Sequence, residues 1–292
     1  MKKPLIVVTG RTGQVGWELE KAATSYSGEF DFLFTTREEL DLHSVESIRI
    51  FFQQHTPAYF INCAAYTAVD KAETDRELAM AINADAVKAI AMACAEYGTV
   101  LIQLSTDYVF NGIAQTPYQP DEPTDPVNYY GFTKWKGEQA ALQYNPKTIV
   151  VRTSWVFSAH GNNFVKTMLR LMKERPQLKV VSDQQGCPTY AADLAAALLQ
   201  MISQLSKGNV HFGIYHFSNT GVTTWYDFAV AIRDTAALAT DIQPISAASY
   251  PTPAKRPKYS VMDIAALGSD FKIVPRSWQS ALTACMHLLI HP

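Results

Sequence analysis

Cysteine is scarce: Cys63, Cys94, Cys187 and Cys285 stand far apart along 292 residues. The absence of paired spacing excludes a disulfide framework and a zinc cluster built on close cysteine pairs, and fits a reducing, cytoplasmic setting. Long apolar runs are also missing. None reaches the roughly 18 residues of a membrane span, and the apolar stretch at residues 5–8 is too short for a signal-peptide core. The expectation is a soluble chain with no membrane partner. Charge is sparse and balanced, 18% of residues with 25 basic against 27 acidic, which excludes a nucleic-acid surface built on bulk positive charge. A 48% apolar fraction supplies ample core, so disorder is excluded and the partners are expected to be small molecules. The length suits one large α/β unit or two smaller ones sharing a cleft.

Apolar runs at residues 5–8, 30–34, 59–63, 99–104 and 148–153 read as buried strands. Between them, residues 44–54 and 79–97, and a segment from Tyr130 through Ala141, carry helical periodicity, while the proline-rich stretch 118–128 reads as a loop. Strands alternating with helices predict a doubly wound, Rossmann-like parallel sheet whose ligands gather at the carboxyl ends of the strands. Beyond Ser154 the pattern turns to helices at 164–173, 193–205 and 225–237 with a short strand at 179–181. We therefore expect a dinucleotide-binding domain over residues 1–154 and a smaller, mostly helical substrate lobe over 155–292, with part of 190–215 packing back on the first.

Gly10-Arg11-Thr12-Gly13-Gln14-Val15-Gly16 lies at the first strand-to-helix junction. Glycines there let backbone approach a pyrophosphate, and the open N–H groups of a helix start attract its charge. The second strand ends in Thr35-Thr36-Arg37, without the carboxylate that would bind a free ribose hydroxyl. Arg11 and Arg37 as a two-guanidinium clamp on a 2′-phosphate favour NADPH, with NADH as the lesser partner. Tyr130 and Lys134, one helical turn apart, follow a strand tip Ser105-Thr106-Asp107-Tyr108-Val109-Phe110, where either hydroxyl, Ser105 or Thr106, is a candidate to hold an oxyanion.

The glycine turn, the hydroxyl after the fourth strand and Tyr-x-x-x-Lys together resemble the extended short-chain dehydrogenase/reductase family. Further blocks sharpen the resemblance across nearly the whole chain: Ala64-Ala65-Tyr66-Thr67-Ala68-Val69-Asp70, Arg152-Thr153-Ser154-Trp155-Val156, Gly161-Asn162-Asn163-Phe164 and Tyr250-Pro251-Thr252-Pro253-Ala254-Lys255-Arg256-Pro257. They are similar to the branch that reduces keto-deoxysugar nucleotides. The resemblance implies reduction of the C4 ketone of dTDP-4-dehydro-L-rhamnose, with Thr106, Tyr130 and Lys134 as the catalytic set. It also implies dinucleotide contacts at Asp41, Leu42, Ala64, Ala65 and Tyr66, and Asn83 as a polar support behind the site. A nucleotide-sugar needs a cation for its pyrophosphate and aromatic and amide groups for its rings. Arg256, backed by Lys255, is expected on the pyrophosphate. Trp155, Asn163 and Gln184 are expected on the sugar, and Val69, Asp70, Asp107 and Tyr108 along the same cleft.

Some bacterial members of the branch hold Mg2+ at a dimer interface through glutamates after a Pro-Thr turn. Here Pro188-Thr189 is followed by Tyr190-Ala191-Ala192-Asp193, which puts the metal bridge in doubt and leaves a homodimer open. The alternatives are a non-catalytic dinucleotide-binding module, like the regulatory β subunit of methionine adenosyltransferase, or a reductase or epimerase of another nucleotide-sugar.

Overall fold

The structure, a computed structural model, describes residues 3–290; Met1, Lys2, His291 and Pro292, the outer limits of the two expected domains, lie outside the described residues. The first half folds as β1 (Leu5–Thr9), α1 (Gln14–Ala23), β2 (Asp31–Thr35), α2 (Val45–His55), β3 (Tyr59–Asn62), α3 (Arg76–Met80), α4 (Ala86–Tyr97), β4 (Val100–Thr106), α5 (Tyr129–Tyr144) and β5 (Thr148–Thr153). A π-helical turn, Ala81–Asp85, joins α3 to α4. The second half supplies β6 (Val156–Phe157), α6 (Phe164–Glu174), β7 (Gln177–Val181), β8 (Gln185–Gly186), β9 (Thr189–Tyr190), α7 (Ala191–Ser206), β10 (Gly213–Phe217), β11 (Thr223–Thr224), α8 (Trp225–Thr235), β12 (Asp241–Ile245), α9 (Ala265–Phe271) and α10 (Trp278–Ile290).

Six parallel strands form the central sheet in the order β10-β5-β4-β3-β1-β2. Strands such as β3 and β5 are buried along their whole length because helices cover both faces, which is why they read as unbroken apolar runs. The chain leaves β1 toward β2 and then crosses back to β3, so the strand order reverses between β1 and β3 and opens a crevice at their carboxyl ends.

One face of the sheet buries Phe52, Val87, Ile90, Ala91 and Cys94 from α2 and α4. The continuous helix from Arg76 to Tyr97 is long and apolar enough to cross a membrane by length and composition, but it packs as a core helix against α2 and α5. The other face buries Leu19 of α1 with Leu194, Leu198 and Ile202 of α7 and Leu267 and Phe271 of α9. Each such fully buried side chain contributes roughly 1.5–3 kcal/mol. The sixth strand and these two helices come from beyond residue 190, so the first core draws on both halves of the chain. A separate core joins Phe157, Met168, Phe228, Ile232, Trp278 and Leu282 into the second lobe, edged by the parallel pair β7 and β12.

Candidate active site

The crevice starts at Gly10, whose φ of +72° and close approach to the chain after β3 both demand glycine: a Cβ there would lie 2.8 Å from the Ala64 nitrogen. A Cβ on Gly16 would collide with the Gly10 carbonyl. Gly13 is the N-cap of α1 and offers no capping side chain, so the first N–H groups of the helix face the crevice without a side-chain acceptor. This cradle fits a dinucleotide pyrophosphate. From it a cleft of about 560 Å³ runs past Thr35, Arg37 and Leu42 on one side and Cys63, Ala64 and Ala65 on the other, reaching Ser105, Tyr130 and Lys134. The turn residues Arg11, Thr12, Gln14 and Val15 border it as well, and Gly161 and Asn162 of the second lobe close it.

At the adenosine end Arg11 borders the cleft, and its guanidinium makes an exposed two-pronged bond to Glu20 of α1, at 3.0 and 2.7 Å. Arg37 borders the cleft and is exposed. Asp41 stands off the cleft and accepts the His43 amide at 3.0 Å, while Leu42 borders it. Tyr66 is also off the cleft wall, with its hydroxyl on Asp75 at 2.8 Å. Its backbone is gripped by Asn83, which accepts from the Tyr66 amide at 2.9 Å and donates to its carbonyl at 3.0 Å and to Thr133 at 3.0 Å. Asn83 therefore ties the loop after β3 to the helix that carries Tyr130.

Helix α5 is set by Asn128, whose side chain caps it by accepting the Gly131 amide at 2.8 Å and donates to the Lys255 carbonyl at 2.8 Å. Tyr130 and Lys134 project from its first turns, both buried. The Lys134 ammonium donates to the Leu104 carbonyl at 2.7 Å, and burial lowers it to about 8, opposed by the nearby Glu138 charge. That carbonyl also accepts from Gln103 at 2.8 Å, at the end of a buried chain in which Thr9 donates to Asn62 at 2.6 Å and Asn62 to Gln103 at 2.8 Å. This network joins three neighbouring strands at the floor of the site and had no signature in the sequence.

Ser105 and Thr106, adjacent in a strand, point to opposite faces. Ser105 borders the dinucleotide cleft and its buried hydroxyl has no partner. Thr106 serves the phenol side: burial and the Asp107 charge push the Tyr130 pKa well above the ordinary phenol value, and the Thr106 hydroxyl opposes them by favouring the phenolate. Thr106 donates to Asp107 at 3.0 Å, and the other Asp107 oxygen is buried without a partner. Burial raises this carboxyl to about 6. Tyr108 meets Tyr130 edge to face at 5.8 Å, and Val69 packs in the same cluster.

Two expected substrate residues find each other: Arg256 forms a two-pronged pair with Asp70 at 3.0 and 2.9 Å. Trp155, at φ +49°, stacks on Trp225 at 3.6 Å and packs against Gly186, and Gln184 is buried two residues before that glycine. The Asn163 side chain caps α6 by accepting the Lys166 amide at 3.1 Å and donates to Gln14 at 3.0 Å and to the Ser158 carbonyl at 2.7 Å. An asparagine three residues before a helical amide is a cap signal, and the sequence carried it. Asp193, after the Pro-Thr turn, is held by Arg276 at 2.8 and 2.9 Å and by Asn219 at 2.7 Å. Among the described residues no group of three or more His, Cys, Asp or Glu side chains is placed to hold a metal ion.

A parallel sheet with a glycine turn at its first crossover and a buried tyrosine and lysine one helical turn apart at the end of the same cleft defines a Rossmann-like, nucleotide-dependent oxidoreductase. The family model described as the RmlD substrate binding domain matches residues 3–290, and the chain belongs to that family. It is 39% identical to a dTDP-4-dehydrorhamnose reductase of Aggregatibacter actinomycetemcomitans, over 95% of this chain and 96% of that protein. Among solved structures, a dTDP-4-dehydrorhamnose reductase of Clostridium acetobutylicum superposes with a TM-score of 0.93 at 38% identity, covering 98% of this chain and 99% of that one. The Bacillus anthracis dTDP-4-dehydrorhamnose reductase, solved in complex with NADP, gives 0.91 at 37% identity, with 97% and 99% covered.

Proposed function

We infer that the chain reduces the C4 ketone of dTDP-4-dehydro-L-rhamnose to give dTDP-L-rhamnose, the last step of dTDP-rhamnose synthesis, using NADPH. The observation that carries this reading is that Tyr130 and Lys134 line the inner end of the glycine-turn cleft, with the Thr106 hydroxyl beside the Tyr130 phenol. The turn from Gly10 to Gly16, with Ala64 and Ala65, would hold the dinucleotide and Arg37 would meet its 2′-phosphate, and when bound there it would supply the hydride.

The chain's own groups supply the proton and the charge balance. Tyr130 donates its phenolic proton to the carbonyl oxygen. An unassisted buried phenol resists giving up that proton, because burial raises its pKa. Lys134, a cation one turn along the helix, favours the phenolate that results. Thr106 donates a hydrogen bond toward the oxygen as it gains charge, exchanging its bond to Asp107 for one to the substrate. Arg256 takes the substrate pyrophosphate, and Trp155, Gln184 and Tyr108 shape the sugar pocket. In this scheme the first core binds the dinucleotide and the second lobe brings the sugar.

The test is oxidation of NADPH on adding dTDP-4-dehydro-L-rhamnose, beside a panel of other keto-deoxysugar nucleotides and NADH. Turnover of the rhamnose precursor is expected, and Tyr130→Phe is expected to lower kcat by 10²-fold or more with dinucleotide affinity kept. Turnover of another sugar alone, or an undiminished Tyr130→Phe rate, would overturn the assignment.

A further inference from the structure

The glycine turn is not bordered by the first core alone. Residues 158–163 of the second lobe lie across it, and Gly161 and Asn162 face the cleft. Both ends of this segment are anchored. Ser158 donates to the buried Glu18 of α1 at 2.6 Å, and Asn163 caps α6 while donating to Gln14 at 3.0 Å. Between the anchors, His160 stacks flat on Trp17 of α1, with centroids 4.8 Å apart and planes 9° from parallel. Its Nε2 lies 3.0 Å from the Thr12 carbonyl. A carbonyl only accepts, so the imidazole N–H is the donor.

Thr12 belongs to the turn whose amides receive the pyrophosphate, and Trp17 sits on the helix whose N-terminus faces it. His160 therefore fixes both walls of the phosphate cradle from outside. Gly161, at φ +73°, lets the segment press close: a Cβ there would lie 3.2 Å from Gln14 Cγ.

We propose that His160 is a positioning residue that latches the second lobe onto the phosphate-binding turn and sets how long the dinucleotide stays bound. This rests on the dinucleotide reading above. Release of the dinucleotide along its phosphate side requires segment 158–163 to lift, and lifting breaks the ring stack and the Thr12 hydrogen bond together.

The experiment is stopped-flow dissociation of NADPH from the full chain, followed by its fluorescence, with single-turnover hydride transfer measured at saturating NADPH. His160→Ala is expected to raise the dissociation rate roughly tenfold, the scale of one stack and one hydrogen bond lost, while hydride transfer changes by less than about twofold. His160→Gln, which keeps a donor, and His160→Phe, which keeps a ring, are expected to fall between Ala and the native residue. These two also guard against reading a folding defect as a latch. A dissociation rate within twofold of native in a folded His160→Ala protein would overturn the proposal, as would hydride transfer slowed as much as release is quickened. Dissociation needs no sugar substrate, so failure of the latch and failure of the substrate assignment are told apart.

Discussion

Asp107 is the acid whose environment is most at odds with its charge. Its ordinary value of 3.8 is raised to about 6, chiefly by burial, so between those values the folded chain binds a proton that the unfolded chain has released. Its contribution to stability is therefore complete below pH 3.8 and lost as pH rises through 6. At pH 7 the folded state carries a buried carboxylate at a cost on the order of 1–3 kcal/mol. Asp107→Asn, which keeps the acceptor for Thr106, is expected to raise the urea midpoint at pH 7 and to flatten its slope between pH 4 and 6. An unchanged slope would show that the carboxylate is solvated. Lys134 works in the opposite direction. Held at about 8 against an ordinary 10.5, it sheds its proton before the unfolded chain does, so native stability rises from pH 8 toward 10. Activity, which needs the ammonium, is expected to fall over the same interval, and a rate profile set beside denaturation midpoints checks the divergence.

Helix α5 is held at Gly137 by a contact without slack. Gly137 faces the π-helical turn so closely that a Cβ would strike the Asn83 carbonyl, whereas a Cβ on Gly28 would meet nothing within 4 Å. Gly137→Ala is expected to cost about 1–3 kcal/mol and to lower kcat by shifting Tyr130, with Gly28→Ala neutral in both assays. Much of the element plan was legible in the sequence, because strands buried on both faces have no choice but to be apolar throughout; the run read at 148–153 is β5 itself. Strand β10 was not legible, since Gly213 and His216 interrupt its apolar run, and β12 carries Pro244, which suits only an edge. Helix α10 has no counterpart among the helices expected at 164–173, 193–205 and 225–237. At the site, the motif residues Tyr130 and Lys134 were readable from spacing and order. The pairings Asp70 with Arg256 and His160 with Trp17 were not, because partners from distant segments leave no local pattern.

Across the whole molecule, the two lobes are clasped over the site by Asp70 and Arg256, half-exposed partners 186 positions apart. A pair this open to water is worth at most about 1 kcal/mol, so Arg256 can leave its carboxylate for a phosphate at little cost. Asp70→Asn is expected to change stability by less than about 1 kcal/mol. Arg256→Ala is expected to raise the KM for the sugar nucleotide at least tenfold while NADPH affinity holds, and an unmoved KM would remove Arg256 from the pyrophosphate. The interleaving of the two halves carries a further consequence for biogenesis. Because β10 completes the sheet beside β5, and α9 seals its face, the nascent chain cannot close its first hydrophobic layer while only its leading half has left the ribosome. Ile149 and Val151 stay exposed until residues near 270 emerge, so a fragment ending at 154 is expected to aggregate and the native chain to depend on chaperone shelter late in translation.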